Sequence, residues 1–363
     1  MIFYLLIIMF FVLFSIAKVK NVSDTKILAL FMIVLWGLAT FRSYDIGNDT
    51  KNYSIIFQNI ASTGNYKMWE GRFEVGYLFL NKILGHITNN FTIFLAVVNA
   101  VIFYAYYKFI KEYSNNKIFS VVIFFTLGFW GQTVNVIRLQ LAIAMYIYAY
   151  LAKERKNVIL SIGFPILAFL FQRISIVYCV AFFMPKKINR KIYFTFAVLS
   201  AAIFIGLQRV LSVVSNFIPY FSLYANNDSS YQIGDVKLAS IIGLIIRCGV
   251  LVFGLIVYKT KIKYEENSNY NNKIIEQINM IFISVLIMFV SLKFNLLDRC
   301  ASFFWVYSLA LIPNCINKYD KYINRKIMEI FFIAMCVIYF IVVNIFRPEW
   351  NHIYPYTTIF NNV

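Results

Sequence analysis

Histidine is nearly missing from this chain of 363 residues: His86 and His352 stand alone, and two unclustered imidazoles do not make a zinc site. The five cysteines, Cys179, Cys248, Cys300, Cys315 and Cys336, lie in apolar segments without CxxC spacing and read as small core residues. No Walker loop, GxSxG elbow or dinucleotide fingerprint occurs, so neither a cofactor nor a resident metal is expected. Proline and glycine are scarce, at 6 and 14 residues, and they form no linker, so one domain over residues 1–363 is expected. Alternating ten-residue segments are absent, which argues against a membrane barrel. Before Lys18 there is no charge and no cleavage site, so the N-terminal apolar run reads as a retained span entering from outside.

Hydrophobic residues make up 61% of the chain and charged residues 14%, far more apolar length than a soluble core of this size uses. Apolar runs near span length recur from end to end, which predicts an all-α polytopic membrane protein. Acidic residues number 16 against 34 lysines and arginines, for a formal charge of +18. Most of the basic residues sit in short loops around positions 18–26, 108–117, 153–156, 186–191, 259–273 and 318–326, and the positive-inside rule makes those loops cytoplasmic. With topology accounted for, no basic face interleaved with aromatics remains, so nucleic acid is not expected as a partner.

Alternating the crossings from these loops gives about twelve spans with both termini outside. The outer segments are then 42–90, 209–237 and the tail 347–363. Residues 74–87 are too short and polar to span, so they should lie along the outer surface or dip and return. Residues 157–185 join two cytoplasmic loops, which predicts a broken or re-entrant helix pair with its apex near Gln172 and Arg173.

Outside the cytoplasmic loops the basic residues change character. They are mostly arginine, namely Arg42, Arg72, Arg138, Arg173, Arg209, Arg247, Arg299 and Arg347, whereas the loops are mostly lysine. A planar guanidinium donates paired hydrogen bonds to phosphate and keeps its charge when partly desolvated. A phosphate-bearing ligand at the outer leaflet accounts for Arg42, Arg138, Arg173, Arg247 and Arg299; structural ion pairing, for example Arg299 with Asp298, accounts for them equally simply. Asp45 and Asp49 can serve as a metal ligand pair or a general base, or Asp49 with Thr50 can cap the next helix. Tyr220, Tyr224 and Tyr231 in the second outer loop are candidates for stacking on sugar faces.

Six pieces carry a resemblance: FRSYDIGNDTKNYSIIF (Phe41 to Phe57), EVGYLFLNKILGHITNNF (Glu74 to Phe91), NVIRLQLAIAMYIYA (Asn135 to Ala149), FQRISIV (Phe171 to Val177), DRCASFFWVYSLALIP (Asp298 to Pro313) and YPYTTIF (Tyr354 to Phe360). In this order they resemble the EpsG family, relatives of the Wzy-type O-antigen polymerases. Two positions depart from the family pattern: Gln172 and Arg173 stand where it has a histidine, and Asn48 where it has a threonine. The resemblance implies a GT-C-like glycosyltransferase in the bacterial inner membrane, working on the outside face. It would transfer a growing glycan from undecaprenyl diphosphate to the non-reducing end of an incoming lipid-linked repeat unit, with a chain-length regulator as a further partner. In that reading Asp49, Arg138 and Arg173 are catalytic, and Arg42, Asp45, Arg247, Arg299 and the three tyrosines bind diphosphate and sugar. The alternative is a flippase for the same lipid-linked oligosaccharide, which would need charge along a path through both leaflets.

Overall fold

The computed structural model describes residues 2–17, 23–184, 187–217, 236, 238–263 and 268–362, and they are helical apart from turns and two isolated bridges. Tyr220, Tyr224 and Tyr231 lie outside the described residues. The chain forms two compact units, Met1–Ile176 with Tyr319–Val363, and Val177–Lys318.

The first unit contains α1 (Ile2–Ala17), α2 (Asp24–Thr40), α3 (Thr50–Thr63), α4 (Val75–Ile87), α5 (Phe91–Tyr113), α6 (Lys117–Thr126), α7 (Phe129–Asn135), α8 (Ile137–Glu154) and α9 (Val158–Phe171). The second contains α10 (Arg190–Ile205), α11 (Leu207–Phe217), α12 (Leu238–Val257), α13 (Asn269–Ser291), α14 (Asp298–Trp305) and α15 (Ser308–Asn317). The last long helix, α16 (Tyr322–Phe346), returns to the first unit.

Asparagines set several helix starts. Asn90, Asn116 and Asn157 each accept a backbone N–H of the following first turn, from Thr92, Phe119 and Leu160, which satisfies a donor the helix itself leaves open. Gly128, at φ +83°, turns the chain between α6 and α7, a conformation that costs a side-chain-bearing residue extra energy.

Among the described residues four helices are long and apolar enough to span: Phe91–Tyr113, Ser240–Ile262, Asn269–Ser291 and Tyr322–Phe346. The count rises to seven if each of three bent pairs is one span, with bends of 54° between α6 and α7, 86° between α10 and α11, and 47° at the break before α15. The protein is therefore a multi-pass, all-α membrane protein with four to seven candidate spans among the described residues, where about twelve crossings were expected. The expectation counted every apolar run of about 15 to 18 residues as a crossing, whereas about 20 residues are needed for a straight one. Runs such as α1 and α9 fall short of that length.

The segment 42–90, expected as an outer loop, is mostly helix. Within α3, Tyr53, Ile56, Phe57 and Ile60 follow helical spacing and are all buried, so this stretch folds by covering its apolar stripe. Two glycines let its helices approach closely: a Cβ on Gly85 would lie 2.9 Å from Ala61 Cα on α3, and one on Gly76 would lie 2.7 Å from Leu170 Cβ on α9. Residues 157–185 do break where expected, since α9 ends at Phe171, Gln172 is extended, and a 3₁₀ run begins at Arg173.

Candidate active site

Three remote parts of the first unit converge on the Arg42 turn. Arg42 follows α2 and is fully buried; its Nη1 donates to Ala39 O, and its Nη2 donates to Thr50 Oγ1 at 3.2 Å and to Val134 O at 2.9 Å. Burial pulls its guanidinium below the ordinary arginine value, to about 9, so it stays charged at neutral pH. Its charge goes into tying α2, α3 and the α7–α8 elbow together. The C-terminal stretch straps across this turn: Gly47 N–H donates to His352 O at 2.9 Å, Ser43 N–H to Thr357 O at 2.9 Å, and Ile359 N–H to Phe41 O at 3.1 Å. Gly47 sits at φ +85°, and a Cβ there would meet Thr50 Oγ1 and Val134 O at 2.8 Å.

Beside this turn lies a polar cluster built around Glu74. Glu74 holds the N-cap position of α4, but its carboxylate does not cap that helix. One oxygen pairs with Arg138 Nη1 from the first turn of α8, and the other accepts the Arg173 N–H at 3.3 Å, at the break after α9. One carboxylate thus holds the Arg138 guanidinium and, through the Arg173 backbone amide, the chain at the break. The Arg138 guanidinium also lies over the Phe73 ring at 4.6 Å and the Tyr77 ring at 5.9 Å, which restrains its plane. The Arg173 guanidinium has no carboxylate partner among the described residues.

Tyr77 is the shared neighbour. Its ring contacts Tyr53 at 5.6 Å and Phe73 at 6.1 Å, its hydroxyl is buried, and burial pushes that hydroxyl well above the usual phenol range. The charges of both Arg138 and Asp49 act on it. Asp49 is half-buried at the N-cap position of α3 with helical φ and ψ, and its side chain makes no capping hydrogen bond, so the cap reading fails. Asp45 is exposed, with only a 3.4 Å contact from Ser43 Oγ. Among the described residues no group of three or more His, Cys, Asp or Glu could hold a metal ion.

In the second unit Arg247 is buried, donates to Gly243 O at 3.3 Å and lies over the Trp305 ring at 5.1 Å. Arg299 is half-buried at the start of α14, and its charge and that of Arg247 both act on Asp298.

A family model matches the chain over a range that holds the motifs at 41–57, 74–91, 135–149, 171–177 and 298–313 whole and the last one as far as residue 358. It is the model described as the EpsG family, and it covers residues 25–358. The chain belongs to the EpsG family. EpsG proteins are associated with exopolysaccharide biosynthesis. No curated protein and no solved structure matches the chain.

Two members of the EpsG chain's cluster escaped the sequence reading. Nothing in composition or spacing gives Glu74 or Tyr77 a role. The available signal was the run Phe73, Glu74, Val75, Gly76, Tyr77: an acid directly before a helix whose second residue is glycine. That glycine brings the helix start against Leu170 and hence against the break.

Proposed function

We propose that this EpsG-family protein is a GT-C-like polymerase of lipid-linked repeat units, with its site at the outer face of the bacterial cytoplasmic membrane. The observation that carries the proposal is the Glu74 carboxylate, which pairs with the Arg138 guanidinium and accepts the backbone N–H of Arg173 at a helix break. In the reaction a sugar hydroxyl of the incoming repeat unit bonds to the anomeric carbon of the growing glycan. The bond from that carbon to undecaprenyl diphosphate breaks, and the diphosphate leaves as an anion. Arg138 and Arg173 stabilise the charge that develops on it, and the Arg138 guanidinium, already oriented by Glu74 and the Phe73 ring, costs little reorganisation at that moment. Asp49 takes the proton of the attacking hydroxyl, and its freedom from a capping bond leaves the carboxylate available. Arg247 and Arg299 are a second anion-holding pair by the same chemistry. Arg42 supports the site as a structural tie, since protein acceptors already occupy both of its Nη groups.

The test is complementation in a host lacking its own polymerase. Arg138→Ala and Asp49→Asn should each leave single repeat units on the lipid while the protein remains in the membrane at wild-type level. Unchanged long-chain glycan from Arg138→Ala rejects the polymerase. Accumulation of repeat units on the cytoplasmic side of a knockout would instead favour the flippase.

A further inference from the structure

A groove of about 650 Å³ opens on the first unit between α2, α5 and α8, away from the Glu74 cluster in sequence and composition. Met32 and Trp36 of α2, Ala100, Tyr104 and Tyr107 of α5, and Tyr148 of α8 line it. The polar ends of two of these rings are already used: Trp36 Nε1 donates to Ala96 O at 3.0 Å and Tyr148 Oη to Val101 O at 2.8 Å. The walls are therefore apolar where a hydrocarbon chain would lie. Around the groove Leu30, Ile33, Val97 and Tyr104 are strongly exposed, as expected of a face turned to lipid.

The end at Tyr104 and Tyr107 is different. Lys108 Nζ sits over the Tyr104 ring at 5.3 Å and Lys111 Nζ over the Tyr107 ring at 5.7 Å. Neither lysine has a carboxylate partner among the described residues, because the neighbouring Glu112 is taken by Arg155 at 2.7 Å. Both lysines lie near the C-terminal end of α5, the end that the positive-inside rule assigns to the cytoplasm. An apolar trough ending in two uncompensated ammonium groups matches a molecule with a hydrocarbon tail and an anionic head at the cytoplasmic surface.

Length decides what kind of lipid. Residues 29–36 of α2 and 100–107 of α5 cover about 10 Å along their axes at about 1.5 Å per residue. That fits within the roughly 15 Å hydrocarbon depth of one leaflet. A chain held here stays in a single leaflet, and its head lies at the cytoplasmic end. We propose that this groove is a binding site for an anionic glycerophospholipid of the cytoplasmic leaflet, with an acyl chain against Ala100 and Trp36 and the phosphate on Lys108 and Lys111. The site is separate from the glycan chemistry and stands whether or not the polymerase reading holds.

Full-length protein purified in a neutral detergent, with phosphatidylglycerol or phosphatidylcholine added, can be examined by native mass spectrometry. The wild type should retain phosphatidylglycerol in preference to phosphatidylcholine. At about 1 kcal/mol for each lysine near an anionic surface, Lys108→Ala with Lys111→Ala should reduce that preference roughly thirtyfold. Ala100→Trp, which fills the groove without touching the lysines, should lower retention of both lipids. Less than about a threefold change in preference for the lysine pair, or retention by Ala100→Trp equal to wild type, overturns the site.

Discussion

Removing Glu74 should do more damage than removing either arginine it holds. The Glu74 and Arg138 side chains are 13% and 18% exposed, so the pair is largely but not wholly out of water. Deleting one partner of a buried pair costs about 3–5 kcal/mol, and an exposed pair is worth about 0–1 kcal/mol. For Glu74→Ala an expected loss of about 3 kcal/mol follows, of which about 1 kcal/mol is the orphaned Arg173 N–H. Glu74→Gln keeps an acceptor for that N–H and loses only the charge, so roughly half the penalty should remain. The assay is unfolding of the purified protein in mixed micelles with rising SDS, run on Glu74→Ala, Arg138→Ala and the double variant. If the two side chains act as a unit, the cycle should show about 2 kcal/mol of coupling. Additivity within about 0.5 kcal/mol would mean that the pair does not organise the site, and the reasoning falls. Glycan length should follow the same order, with Glu74→Gln shorter than wild type and Glu74→Ala without polymer.

Arg42→Lys should lower the amount of folded protein in the membrane, because one ammonium cannot reach the Ala39, Thr50 and Val134 acceptors together; a normal yield with lost activity would point to substrate contact instead. Gly76→Val should push α4 away from Leu170 and cost about 1–3 kcal/mol, with faster proteolysis near Gln172 as the readout. A proteolysis rate equal to wild type would show that the close approach is not required.

The fold class was legible because apolar length and lysine placement report directly on a bilayer. The broken segment at Gln172 was legible for the same reason, since two basic loops only 28 or so residues apart leave no room for two straight spans. The Arg42 turn was misjudged in character, because a polar run after an apolar helix reads as solvent-exposed, whereas Arg42 is the most enclosed cation described here. Its acceptors lie up to 92 positions away, and local periodicity carries no trace of them. Glu74 was hidden likewise: its partners are 64 and 99 positions distant. The arginine bias picked out Arg138 and Arg173, whose guanidinium and backbone amide respectively meet the Glu74 carboxylate.

The strap formed by the C-terminal stretch ties the Arg42 turn to the timing of synthesis. Gly47, Ser43 and Phe41 take their partners from His352, Thr357 and Ile359, and all of the second unit is translated between them. At about 5–20 residues per second, the roughly 300 intervening residues occupy the ribosome for some 15–60 s. Throughout that interval the Gly47 and Ser43 N–H groups have no native acceptor. The early helices must therefore wait in an unfinished state while a whole second unit is made. A ribosome that stalls before His352 leaves behind an inserted chain whose polar turn cannot close, a ready signal for quality-control proteases.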